Sequence, residues 1–133
     1  MKRTPLRRRS RTPRAQLKAK CDKLWSAIIR SVGHCQRCGA GDKQLHAHHL
    51  IPRTRLATRW AIPNGLCLCA GCHSMGPASA HQDPLLFAKW FAAKFPERVE
   101  WVDEYRNSTA RMPLQDIHDA LKKYCDEAGI LVG

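Results

Sequence analysis

With 133 residues and 44% hydrophobic content, the chain can form one compact domain plus tails, and it is short enough for a metal or disulfide staple to matter. Its 23 Lys and Arg against 11 Asp and Glu give a net charge of +12, and nine of those basic residues lie in residues 1–20 with no acidic one. The balance argues against an acidic-surface protein. The longest apolar stretch, Pro84 to Ala93, is broken by Lys89 and is too short for a membrane span.

Residues 1–13 are Arg-rich, contain Thr-Pro twice and offer nothing to pack, so they read as a disordered basic arm. Such an arm suits a polyanion, with Arg7, Arg8 and Arg9 as candidate nucleic-acid contacts. A solvated tail or a membrane-surface arm is the competing reading. From about Arg14 to Val32, apolar residues at Leu17, Cys21, Leu24 and Ile28 keep helical spacing, and Gly33 is placed to end the helix. Leu45 to Ile51 and Gly65 to Cys69 read as two short strands joined by a basic loop. From about residue 83 the chain turns helical. Asp83-Pro84 opens one helix containing Leu85, Leu86, Phe87, Trp90 and Phe91, and Glu97 to about Asn107 forms another. Pro113 opens a third, with Leu114, Ile117, Leu121 and Tyr124 inward and Gly129 past its end. The reading is an α+β protein: an arm, then one domain over 14–133.

Cys35-Gln-Arg-Cys38 and Cys69-Ala-Gly-Cys72 are two C-x-x-C pairs separated by 30 residues. Each pair can aim two thiolates at one tetrahedral ion, and together they close a four-cysteine shell with no open position, as structural zinc requires. Cys67, Cys21 and Cys125 lack that spacing and read as buried thiols. No apolar segment follows the charged N-terminus, so a cytoplasmic, reducing setting is expected, which favours metal ligation over disulfides.

Inside the loop that zinc would close lie His46-Ala-His48-His49-Leu-Ile-Pro52, then Asn64, Cys72-His73 and His81. Asn64 follows His49 by 15 residues and His73 follows Asn64 by nine. In residue type, order and spacing, roughly Cys35 to His81 resembles the zinc-containing branch of the HNH endonucleases, the ββα-metal nucleases. The run from Ser79 into the helical tail, with the basic arm, resembles phage HNH recombination nucleases of the NinG/Rap type.

The resemblance implies a ββα-metal core backed by three helices, and hydrolysis of DNA phosphodiester bonds. His48, His73 and His81 would hold one catalytic divalent ion (Mg²⁺, Mn²⁺, Ni²⁺ or Zn²⁺), and His49 would be the general base. Asn64 would hold the loop and orient that base, with His73 at the start of the helix after the second knuckle. Pro77 breaks that helix, so His81 has to return through a loop. One of Arg53, Arg55 and Arg59 would clamp the phosphate, and His46 would lie behind the ligands or serve structure alone. The likeness to phage proteins further implies branched or single-stranded DNA, in the cytoplasm of a bacterial host. The alternative is a non-catalytic zinc-stapled DNA-binding module, which accounts for the cysteines and the arm but leaves His49 without a role.

Overall fold

The protein is described by a computed structural model covering residue 3 and residues 11–132. The expected contacts Arg7, Arg8 and Arg9 lie outside the described residues, and Pro13 already belongs to the first helix.

Helix α1 (Pro13–Arg30) starts where the sequence supplies a cap. The Thr12 hydroxyl oxygen accepts from the Ala15 N–H at 3.1 Å, and Pro13 stands where a missing N–H costs nothing. Gly33, with φ at +84°, takes the left-handed conformation that turns the chain away. Strand β1 (Leu45–His49) pairs antiparallel with β2 (Gly65–Cys69) in a two-stranded sheet. The register sets His46 opposite Leu68, His48 opposite Leu66 and His49 opposite Gly65. A single wide turn, Gly71–Met75, follows β2. Helices α2 (Pro84–Lys94), α3 (Pro96–Tyr105) and α4 (Leu114–Ala128) complete the α+β fold.

Strand β2 is buried along its whole length and divides the interior. On one side Trp25, Ile28 and Ile29 of α1 pack with Trp60, Cys67 and the inward face of α4. On the other, Leu66 and Leu68 pack with Phe87 and Phe91 of α2 and with Cys35 and Cys69. Each large apolar side chain buried this way contributes about 1.5–3 kcal/mol. Gly65 is what brings α1 close. A Cβ there would lie 2.2 Å from Ile29 Cδ1 and 2.9 Å from Trp25 Cζ2.

Two local expectations are corrected. The first strand ends at His49, two residues early, because Asn64 takes over the pairing: its carbonyl receives the Leu50 N–H at 2.9 Å, and its side-chain oxygen the Ile51 N–H at 2.6 Å. In α4 the inward position belongs to Cys125, while Tyr124 is 44% exposed. Leu85 and Leu86 likewise face outward at 79% and 45%, because the buried edge of α2 is the i, i+4 pair Phe87 and Phe91.

Candidate metal centre and active site

The turn after β2 divides two neighbouring side chains between two clusters. Gly71–Met75 is wound so widely that the Gly76 N–H donates back to the Gly71 carbonyl at 2.9 Å, and a Cβ on Gly76 would lie 2.7 Å from that oxygen. The helix expected after the second knuckle is therefore one turn of π type. From it Cys72 joins the cysteines and His73 the histidines.

In the first cluster the sulfurs of Cys35, Cys38, Cys69 and Cys72 all lie within 4.8 Å of one another, with Cys38 and Cys69 at 3.7 Å. Tetrahedral bonds of about 2.3 Å place sulfurs roughly 3.8 Å apart, so the spacing fits one ion. The protonation chemistry fits as well. Burial alone would raise the Cys35 thiol, but backbone N–H groups of the knuckle and the Cys38 thiol bring it down to about 6. Burial and the neighbouring sulfurs push Cys72 the other way. One thiolate thus forms readily and opposes the next, and a bound cation is what lets all four charge together. All seven cysteines are free thiols, and Cys21, Cys67 and Cys125 lie buried in the core, with burial raising each of their pKa values.

Strand alternation sorts the histidines. His46 and His48 share one face of β1 and meet His73; His49 turns to the other face and meets α1. His48, His73 and His81 each present a nitrogen within 4.8 Å of the others. His81 does return through a loop, where its N–H donates to the His73 carbonyl at 3.1 Å and the Ala80 N–H donates to that of Cys72 at 2.9 Å. The Nε2 atoms of His73 and His81 stand 3.0 Å apart, while His73 Nδ1 meets His46 Nδ1 at 2.9 Å. His48 Nδ1 is buried with no hydrogen-bond partner, a deficit that ligation through that atom would remove. Burial, reinforced by the surrounding imidazoles, holds His48 down to about 3 and His73 down to about 4. Both are neutral lone-pair donors near pH 7, so the cluster fits a divalent cation.

His49 is held differently. A carbonyl can only accept, so the 3.0 Å contact between His49 Nε2 and the Arg59 carbonyl fixes the proton on Nε2 and leaves Nδ1 as the lone-pair nitrogen. Burial, with Arg53 and Arg59 nearby, lowers its pKa against the opposing pull of that carbonyl and Asp22. Asn64, fully buried, donates from Nδ2 to the carbonyls of Ile51 and Thr58, both at 3.1 Å. It thereby ties the ends of the loop that carries Arg59.

The arginines separate. Arg53 lines a cavity of about 850 Å³ with His48, His49, His73 and His81, and its side chain is 64% exposed. Arg55 is exposed on the same loop. Arg59 corrects the expectation of a free phosphate clamp: it is 13% exposed and both guanidinium arms donate to Asp22, at 2.9 and 2.6 Å. Arg106, which the sequence did not single out, also lines the cavity. Nor did sequence spacing single out Asp22 and Trp25, which look like any exposed and buried positions of an amphipathic helix.

Among the described residues no helix is long and apolar enough to cross a membrane. The uncharacterized protein YisB of Bacillus subtilis (strain 168) is 32% identical over 85 residues, which cover 51% of this chain and 82% of that protein. No solved structure gives a significant match. Residues 35–76, which carry the paired cysteines, the β1 histidines, Asn64 and His73, match the family model of the HNH endonucleases, and the chain belongs to that family.

Proposed function

We propose that the chain is a metal-dependent endonuclease that hydrolyses DNA phosphodiester bonds, with His48, His73 and His81 as ligands of one divalent ion and His49 as general base. The observation that carries this reading is the division of labour on β1. His48 joins a three-nitrogen cluster, its neighbour His49 is fixed in one tautomer, and both line the same cavity. When bound, the divalent ion supplies Lewis-acid stabilisation of charge on the phosphate and the leaving oxygen.

The residues do the rest. Neutral His49 takes a proton from water at Nδ1 while Nε2–H stays on the Arg59 carbonyl. The hydroxide oxygen bonds to phosphorus, and the opposite P–O bond breaks with its electron pair on the leaving oxygen. Arg53 holds the phosphate from the cavity wall, and Asn64 keeps the loop in place as a positioning residue. His46 orients His73. If His73 ligates through Nε2, its proton sits on Nδ1 and is donated to His46 Nδ1. The four cysteines hold zinc as a closed structural site.

A reducing cytoplasm is the setting that suits a cluster of four metal-binding thiolates. Branched or single-stranded DNA met in recombination or repair is the substrate form we carry forward, to be tested by digesting those forms beside linear duplex. Equal rates on all three would remove that preference.

Plasmid cleavage by wild type and His49→Ala, with and without EDTA and added Mg²⁺ or Mn²⁺, tests the reading. Metal-dependent nicking that disappears in a folded His49→Ala variant is expected. If neither protein cuts any DNA form while both bind it in a salt-sensitive way, the binding module replaces the nuclease.

A further inference from the structure

The HNH segment, residues 35–76, does not hold His49 alone. The ring of His49 lies against that of Trp25 from α1, with centroids 4.0 Å apart and planes 16° from parallel. Trp25 is 2% exposed, and its indole N–H donates to the Ala61 carbonyl at 2.9 Å, on the same loop that carries Arg59. One helical turn earlier, Asp22 receives both arms of Arg59, the 2.8 Å indole N–H bond of Trp60 and the 3.6 Å approach of Arg53. The residue whose side chain Asp22 grips is the residue whose carbonyl accepts from His49. Gly65, facing His49 across the sheet, is bare and so admits α1 to this distance.

We infer that Asp22 and Trp25 are positioning residues, supplied by a helix outside the HNH segment, that fix the ring plane and the tautomer of His49. The inference rests on the nuclease reading for its catalytic consequence, and on contacts alone for its structural one. The two residues divide the task. Trp25 sets the plane: an imidazole sandwiched on an indole cannot tilt without losing the stack. Asp22 sets the tautomer at one remove, because a carboxylate forked to the Arg59 guanidinium pins the peptide whose oxygen receives Nε2–H. When His49 takes the water's proton, the imidazolium lies over the Trp25 face, where the ring quadrupole favours positive charge. A base free to rotate or to exchange tautomers would offer Nδ1 to water for only part of the time. Misplacing a reacting group by about 1 Å can cost about a hundredfold in rate.

Asp22 is one-third exposed, so its variants are expected to fold. The test compares wild type, Asp22→Ala, Asp22→Asn and Trp25→Phe by long-range ¹H–¹⁵N spectra of the histidine side chains, alongside kcat and KM for plasmid nicking. In wild type a single Nε2–H tautomer of His49 is expected. In Asp22→Ala the two tautomers mix, and kcat falls about tenfold to a hundredfold with KM changed less than twofold. Asp22→Asn falls between, because a neutral acceptor remains for Trp60. Trp25→Phe keeps an aromatic face against His49 but loses the N–H bond to Ala61, and kcat falls less than in Asp22→Ala. An unchanged tautomer in Asp22→Ala overturns the inference, as does a rate loss that only follows the fraction of folded protein. If wild type itself cuts no DNA, the nuclease reading fails, and the tautomer spectra still decide whether Asp22 holds His49.

Discussion

Cys72 and His73 are adjacent in sequence but serve two different clusters. The cysteine cluster is closed: four sulfurs from two turns, three of the four residues at least partly buried, with thiols that resist charging together. The histidine cluster is open: three ring nitrogens lining a cavity of about 850 Å³, with His81 exposed and Arg53 beside it. A closed shell leaves a cation nothing to do but hold the fold, whereas an open one leaves room for substrate. The difference is produced by one wide turn, Gly71–Met75, which points successive side chains to opposite sides.

The comparison breaks most visibly on the closed side. Cys35→Ser or Cys72→Ser is expected to lose one equivalent of tightly held metal together with the cooperative thermal transition. Structural zinc contributes on the order of 10 kcal/mol or more in small domains, and metal analysis with circular dichroism would check it. On the open side, His49→Ala should keep that metal and the fold while kcat for nicking falls about 10²–10⁴-fold. A smaller effect sharpens the contrast. His46→Ala should weaken only the second, labile metal, by about 10–100-fold in titration calorimetry, because His73 loses its orienting partner.

Acid should distinguish the clusters too. Without the labile metal, His48 and His73 are neutral in the fold, with pKa values of about 3 and about 4, whereas an unfolded chain protonates them near 6.5. The unfolded state therefore binds more protons between those limits. Stability should be full above about 6.5 and decline as the pH falls toward 3–4. Melting temperatures against pH would show this, and His48→Gln should flatten part of the decline.

Much of this was legible in the sequence because it is written in short-range patterns. Two C-x-x-C pairs locate a metal cluster, a Thr12-Pro13 or Asp83-Pro84 step opens a helix, and strand alternation parts His48 from His49. The break after Met75 was foreseeable from Gly76 and Pro77. What escaped were long-range commitments. Nothing local to Arg59 shows that its guanidinium closes on Asp22, 37 residues away, instead of facing phosphate. Nothing local to Trp25 distinguishes a core indole from one that stacks on His49. Asn64 was expected to hold the loop, but not to end β1 by taking the Ile51 N–H. Period and spacing report which face a residue is on, and they do not report what meets it there.

The most direct test of a closed structural site beside an open catalytic one is stepwise chelation, with bound metal, circular dichroism and plasmid nicking followed on one sample. The account predicts that a mild chelator abolishes nicking while one equivalent of metal and the folded spectrum remain, and that added Mn²⁺ or Mg²⁺ restores cutting. Nicking that survives removal of all metal, or that disappears only together with the fold in a single step, would contradict it.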